Sequence, residues 1–389
     1  MPEDVAIISP YPRLGERHGG HSGVASYSSQ LAQSLAERGA AVTVLAARED
    51  GHPAEGDDDG VTVRRAYGRG PGAVPAAVRA ALRTGAPVVH LQHEVFLYGG
   101  PASVPGLIAG LGALRSHGRG TVVTLHQVVA PQTVDAGFTA LHRVRVPVPV
   151  ARRALGGIQQ AIRRLAHRVI VHEPSFRAAV PEAVVIPHGV QPAVAASPQE
   201  RAALRERLGL DDRLAVLCFG YVAPYKGVDV ALRAAELVPG DVQLIVAGGE
   251  HPRLAAAGDP YLANLQAVHG ASARFTGRVA DADVADWFRA ADVALFAYPR
   301  PFSASGALTL ALAHGTPALL SDALAASAGA PDGMAVTCEP LALAGRLSML
   351  NADRSALAHL ATLSQRIGAE RSWARCAASH QDVYADVAA

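Results

Sequence analysis

The chain has 389 residues, half of them apolar, and its 35 Lys and Arg against 34 Asp and Glu give a formal charge of +1. That balance argues against a nucleic-acid protein driven by global charge, and no apolar run reaches the roughly 18 residues that span a bilayer. The length predicts two domains of about 150–200 residues rather than one core.

Three cysteines, Cys218, Cys338 and Cys376, stand far apart in apolar surroundings. They make no metal-ligand spacing and predict buried thiols in a reducing compartment. The chain enters a strand directly, without the basic region and apolar run of a signal peptide, so a soluble, cytoplasmic protein is expected. Residues 5–9 are that strand. The loop over 10–23 carries Arg13, Arg17, His18, Gly19, Gly20, His21 and Gly23. A helix follows with Val24, Tyr27, Leu31 and Leu35 on one face and Gly39 as its stop, and then a strand over 41–46. In an open parallel sheet the first turn of such a βαβ unit lies at the ligand-binding carboxyl edge. Gly19 and Gly20 admit close approach of a ligand there, although the spacing is not G-x-G-x-x-G.

Residues 50–61 are polar and turn-rich and read as a surface loop. Strands over 88–92 and 121–125 end in His93-Glu94 and His126-Gln127. Side chains at such strand ends line the ligand edge, which makes His93, Glu94 and His126 site candidates; the competing reading is a satisfied structural histidine. Residues 127–168 hold Arg143, Arg145, Arg152, Arg153, Arg163, Arg164 and Arg168, and 151–167 reads as a basic amphipathic helix. Such a helix meets anionic lipid or an anionic acceptor, or is simply a solvated face. Strands over 169–172 and 184–189 finish the first half.

A Pro/Ala/Ser-rich linker over 191–200 precedes a restart of the pattern. Strands over 214–220, 243–250, 275–279 and 291–296 alternate with helices, one of them over 230–237. Two runs of strand–helix units predict two doubly wound α/β domains whose ligand cleft lies between facing carboxyl edges. The stretch 298–322 organises the second. A strand over 293–297 runs into a loop and a helix that Ser303 or Ser305 caps and Gly315 and Pro317 stop; a short strand over 318–320 follows. A helix start of sequence Ser-Ala-Ser-Gly offers unpaired N–H groups and a positive dipole end, and Gly306 lets a phosphate come close. An ordinary capped βα unit is the alternative. Lys226, in a glycine-bounded loop at a strand end, adds a cation, and the two together describe a diphosphate clamp.

Taken in order, these pieces resemble the GT-B glycosyltransferases, in particular glycosyltransferase family 4. They are Gly19-Gly20 with Tyr27, Leu31, Leu35, Gly39 and Val42; His126; Ile186-Pro-His-Gly189; Phe219-Gly220 with Pro224-Tyr-Lys-Gly227; Val246-Ala-Gly-Gly249; Gly277-Arg-Val279; Ser305-Gly306 with Gly315-Thr-Pro317 and Ser321-Asp322; and Ser372-Trp373 with Tyr384. The resemblance implies a GT-B fold of two Rossmann-like domains, 1–190 on the acceptor side and 201–370 binding the donor, with 371–389 packed back on the first. It implies a retaining, metal-independent transfer of a sugar from a nucleoside diphosphate sugar to a hydroxyl acceptor, with no further cofactor. The acceptor would be a small molecule, glycan or lipid-linked sugar, and the enzyme would touch the membrane at most peripherally.

By the same resemblance Lys226 holds the diphosphate and the Ser305-Gly306 backbone its distal phosphate. Gly19-Gly20 closes over phosphate and sugar, His126 lies beside the transferred sugar, and the turn of Arg278 and Val279 reads the base near the glycine turn at Gly249. Glu94 is a reserve base. Two departures stand out. Tyr221 occupies a position where many members carry a diphosphate-pairing Arg. Phe302 and Leu310 occupy the slots of the paired glutamates, with Arg300 and Ser303 the nearest polar substitutes. A nucleotide-binding pseudo-enzyme and a sugar phosphorylase are the alternatives.

Overall fold

The computed structural model describes residues 5–16, 23–95, 97–141, 144–255, 257–301 and 303–388. Gly19, Gly20, Arg143 and Phe302 lie outside these described residues. Two compact units emerge. The first comprises Met1–Gly189, Phe302–Ala304 and Trp373–Ala389, and the second Val190–Pro301 and Ser305–Ser372.

The first unit is an eight-stranded sheet made of β1 (Val5–Ile8), β2 (Val42–Ala47), β3 (Glu55–Asp58), β4 (Val61–Tyr67), β5 (Val88–His93), β6 (Gly120–Leu125), β7 (Arg168–Val171) and β8 (Val184–Val185). Their order is β3-β4-β2-β1-β5-β6-β7-β8, parallel except for β3 against β4. Strand order therefore reverses at β1 and β5, the switch point where ligands of such sheets bind. Its helices are α1 (Gly23–Glu37), α2 (Ala73–Thr84), α3 (Val104–Ser116), α4 (Ala136–Leu141) and α5 (Val148–Leu165). Helix α1 buries Tyr27, Leu31 and Leu35 on one face of the sheet, where Trp373, Cys376 and Tyr384 of the last helix, Trp373–Ala388, join the same core. Helices α2 and α3 fill the other face with Val74, Ala77, Leu107 and Leu111.

The loop expected over 50–61 is corrected here: Glu55–Asp58 pairs antiparallel with β4. Asp59 (φ 53) and Gly60 (φ 85) make the hairpin turn, a geometry that Asp-Gly favours. The acidic strand is held because Asp58 is buried with its carboxylate accepting from Tyr11 Oη at 2.8 Å and Gly15 N at 2.9 Å. Cys338 is a smaller correction. It is only partly buried, and its Sγ donates to the Ala297 carbonyl at 3.2 Å.

A polar seam crosses the apolar core of this unit. His90 bonds Tyr384 Oη and Thr124 Oγ1, each at 2.7 Å, and His380 lies 3.3 Å from Tyr27 Oη. Burial holds His93 and His380 down to about 4, and burial together with neighbouring histidines holds His90 and His126 well below the usual range. These rings fold neutral, whereas the unfolded chain protonates them near pH 6.5. For His93 and His380 the contribution is thus complete above pH ~6.5 and is lost as pH falls toward 4, at up to about 3 kcal/mol each. Urea unfolding midpoints measured from pH 7 to 5 should fall steeply, and His380→Gln should flatten that slope.

The second unit opens with α6 (Pro198–Arg207), whose capping box joins Ser197 and Glu200. The linker expected over 191–200 therefore runs without regular structure only as far as Ser197. Six parallel strands follow: β9 (Leu214–Phe219), β10 (Val242–Ala247), β11 (Ala273–Phe275), β12 (Val293–Phe296), β13 (Ala318–Ser321) and β14 (Ala335–Val336), in the order β11-β10-β9-β12-β13-β14. Here the switch point lies between β9 and β12. Helices α7 (Val228–Leu237), α8 (Pro252–Ala255), α9 (Tyr261–His269), α10 (Val284–Ala290), α11 (Gly306–Ala313), α12 (Asp322–Ala328), α13 (Pro340–Ala352) and α14 (Arg354–Glu370) complete it.

Asp292, buried at the entry to β12, accepts from Arg201 (2.8 Å), Arg205 (2.9 Å) and the Ala215 amide (2.8 Å). Burial alone would raise its pKa; the Arg201 and Ala215 hydrogen bonds outweigh that and hold it below the usual carboxylate range. Its stabilisation is present above the unfolded-state pKa and is lost as pH falls through the depressed folded value. Asp292→Ala leaves the Ala215 amide unpaired and removes the counter-charge of Arg201 and Arg205, which keep only backbone carbonyls such as those of Ala290 and Ala291. It should cost about 3 kcal/mol, read from the urea midpoint.

Candidate active site

In the second unit the site grows from the switch point. Strand β9 ends at Phe219 and the chain turns through Gly220 into a 3₁₀ turn, Pro224–Lys226, that presents Lys226. Neighbouring β12 leads into Tyr298. Lys226 Nζ donates to Tyr298 Oη at 2.6 Å and sits 4.5 Å from that ring's centroid. Tyr298 Oη in turn shares a 3.1 Å hydrogen bond with Ser305 Oγ, and Ser305 Oγ accepts from Leu308 N at 3.2 Å as the N-cap of α11. Burial works against the Lys226 charge, but the Tyr298 and Tyr225 hydroxyls outweigh it, and its pKa lies above the ordinary lysine value. The ammonium is therefore fixed beside the start of α11, whose first-turn N–H groups have no partner within the helix.

Gly227 makes this geometry possible. Its φ is 63°, and a Cβ there would stand 1.8 Å from the Ala297 carbonyl oxygen, so the Lys226 turn lies directly on the end of β12. Gly306 differs: it is exposed, and a Cβ on it would meet nothing within 4 Å.

Around this cluster, Tyr221 is exposed and meets the His251 ring edge-on at 5.7 Å. Gly249 packs on Arg278, whose Cβ is 3.5 Å from the position a Gly249 Cβ would take. Arg278 is exposed, Val279 packs against the core, and Arg300 is exposed. Of the two expected caps, Ser305 caps α11, whereas Ser303 forms an antiparallel bridge with Gln127 in the first unit. Tyr298 was missed as a site residue. Its signal was its place, the first polar side chain after a switch-point strand.

In the first unit, His93 and His126 end adjacent strands β5 and β6, with His126 N bonded to His93 O at 2.9 Å. Both ring nitrogens of His126 face partners inside the protein: Nε2 lies 2.8 Å from the Gln92 carboxamide and Nδ1 3.2 Å from His172 Nε2. His172 Nδ1 is 3.0 Å from the Ile186 carbonyl. A carbonyl only accepts, so His172 carries its proton on Nδ1. Burying a charged imidazole is costly, so His172 Nε2 accepts from His126 Nδ1–H. His126 Nε2 is then an acceptor; the structure sets Gln92 Oε1 against it, so the protonation pattern requires the carboxamide turned over to present its NH2. Tyr27 packs against His126 (4.8 Å), His172 (4.9 Å) and His188 (5.0 Å). The His126 ring is thus committed internally and leaves its backbone as the group to offer a ligand. Glu94 follows His93 at the end of β5; both border a small apolar cavity of about 60 Å³.

The expected basic helix is α5, Val148–Leu165. Arg163 is paired with Glu182, and Arg152 Nε donates to the Val134 carbonyl at 2.8 Å. Val150 is half exposed. Among the described residues no helix is long and apolar enough to cross a membrane, and no group of three His, Cys, Asp or Glu is placed to hold a metal ion.

Residues 213–353 match the family described as Glycosyl transferases group 1. The chain is 35% identical over 219 residues to a D-inositol 3-phosphate glycosyltransferase from Xylanimonas cellulosilytica, covering 52% of this chain and 50% of that protein. It is 38% identical over 105 residues to a protein of the same name from Mycolicibacterium gilvum, covering 25% of this chain and 23% of the other. The chain therefore spans about half the length, or less, of these curated relatives. Over almost whole chains, it superposes on sucrose-phosphate synthase from Thermosynechococcus elongatus with a TM-score of 0.74 at 20% identity, covering 99% of this chain and 98% of the other. HepE from Anabaena in complex with UDP-glucose gives 0.71 at 17%, covering 98% and 99%. The catalytic domain of starch synthase IV from Arabidopsis thaliana gives 0.66 at 14%, covering 100% and 99%. By fold, this chain is a GT-B protein with two Rossmann-like units, the second of which carries the match to Glycosyl transferases group 1.

Proposed function

We propose that the protein is a hexosyltransferase of the family 4 kind, moving a sugar from a nucleoside diphosphate sugar to a hydroxyl acceptor with retention and without a metal. The observation that carries this is the Lys226–Tyr298–Ser305 chain at the β9/β12 switch point, which fixes a cation beside an open helix start. As the donor bond breaks, charge builds on the departing diphosphate. A preorganised ammonium and helix dipole stabilise that charge without reorganising. The leaving phosphate then takes the acceptor's proton, with Glu94 as the reserve base. Arg278 and Val279 flank the base.

Structural neighbours support the donor class: HepE is in complex with UDP-glucose, and the starch synthase IV domain is bound to ADP and acarbose. In the acceptor role we place a hydroxyl of a small molecule, glycan or lipid-linked sugar. Peripheral contact with anionic lipid through α5 is compatible with its arginines.

Calorimetry with UDP, GDP, ADP and dTDP tests the clamp. One nucleotide should bind clearly better than the others. Gly306→Ala should leave the unfolding midpoint unchanged, because its Cβ enters open space, yet weaken that nucleotide about tenfold or more by holding the phosphate off the backbone. Equal affinity in wild type and variant would remove the phosphate from Gly306.

A further inference from the structure

The second unit contains a cavity of about 320 Å³ that the transferase reading does not use. Its wall forms where β12 and β13 begin, from Phe288 and Arg289 at the end of α10, Asp292, and His314 just after α11. Arg201 of α6 and Arg354 of α14 complete the charged lining. All strands of this sheet are parallel, so the cavity lies at the amino edge, the opposite end of β12 from Tyr298 and of α11 from Ser305.

Three guanidiniums and one carboxylate line it. The carboxylate, Asp292, is already saturated by Arg201, Arg205 and the Ala215 amide. Arg289 approaches Glu200 only at 3.8 Å, and that glutamate serves the α6 capping box. Arg354 is exposed, with no ion-pair partner among the described residues. Two buried nitrogens on this wall, Arg289 Nε and His314 Nδ1, have no hydrogen-bond partner among the described residues. Arg Nε is always a donor, and folded proteins pair nearly all such buried groups. The His314 ring lies parallel to Phe288, 5.8 Å between centroids and 15° between planes, which fixes the plane of the ring. Burial first, then Arg289, lowers the His314 pKa, so the ring is neutral and free to place its proton on Nδ1.

We propose that this cavity binds a small molecule carrying a phosphate or carboxylate group on an apolar body, at a site separate from the nucleotide clamp. The anionic group pairs with Arg289 and Arg354 and takes Arg289 Nε–H and His314 Nδ1–H as donors. Phe288 and Leu357 face the carbon skeleton. The volume falls within the range of small-molecule sites, about 300–1,000 Å³. The proposal stands whether or not the transferase reading does.

Phenyl phosphate is the probe. The His314 ring proton is followed by NMR, assigned with His314→Gln, together with thermal unfolding. The comparison is between wild type, Lys226→Ala, Arg354→Gln and the double variant Arg289→Gln/Arg354→Gln. In wild type the His314 resonance should move, its apparent pKa should rise as the anion relieves the Arg289 repulsion, and the midpoint should increase. Lys226→Ala should keep all three responses. The exposed Arg354→Gln, which folds as wild type, should weaken them several-fold, and the double variant should lose them. A His314 resonance unmoved by tens of millimolar phenyl phosphate overturns the proposal. So does a response lost in Lys226→Ala but intact in the double variant.

Discussion

Lys226→Ala is expected to lower turnover at saturating donor by about 10²- to 10³-fold, the loss typical of removing one preorganised group that stabilises leaving charge. Among the described residues the ammonium's hydrogen-bond partner is Tyr298 Oη at 2.6 Å and no carboxylate pairs with it, so it is held in place without its charge being neutralised. Nucleotide affinity should fall as well, because the diphosphate carries its charge in the ground state too. The loss should be larger in kcat than in KM, since charge on the leaving oxygens grows toward the transition state. Steady-state kinetics against the nucleotide sugar chosen by calorimetry separates the two. Unchanged turnover would take Lys226 out of the site.

Gly227→Ala should act on stability and activity together. The added Cβ would lie 1.8 Å from the Ala297 carbonyl oxygen, in a residue held at φ 63°, so backbone must move on one side or the other. A clash of this kind combined with left-handed strain costs about 3 kcal/mol or more. Because the contact joins the Lys226 turn to the end of β12, relief by shifting the turn would pull Lys226 from Tyr298. Urea unfolding should show a midpoint well below wild type, and residual folded protein should bind nucleotide poorly. Gly306→Ala is the control for stability alone, with no clash and an unchanged midpoint.

The parts of the fold legible in the sequence were those with strong periodic signals. Buried strands such as Val88–His93 and Gly120–Leu125 stand out as apolar runs, and α1 shows its face through Tyr27, Leu31 and Leu35. The β3–β4 hairpin was not read, because β3 is Glu-Gly-Asp-Asp. What holds it, Tyr11 and Gly15 bonding Asp58, is a contact across more than forty residues that no local pattern encodes. The Asp59-Gly60 turn was the one local cue.

Within the site, Lys226 and Ser305 were legible as residue types at strand and helix ends. Tyr298, which links them, was not, since its role depends on the β9–β12 pairing. For His126 the strand-end position was visible; the commitment of both ring nitrogens to Gln92 and His172 follows from the packing of three strands. The slots at Phe302 and Leu310 lack carboxylates in the sequence itself, and the exposed Arg300 is the charged side chain nearest them in the chain.

The central claim is transfer of a sugar from a nucleoside diphosphate donor, and one measurement addresses it most directly. The protein is incubated with the nucleotide sugars of the best-binding base and a panel of hydroxyl acceptors. Nucleotide release and the anomeric configuration of the product are then followed by NMR. The account predicts acceptor-dependent nucleotide release, a product with the donor's anomeric configuration, and loss of both in Lys226→Ala. Nucleotide binding with no release under any acceptor, or sugar cleavage that needs inorganic phosphate and no nucleotide, would contradict it.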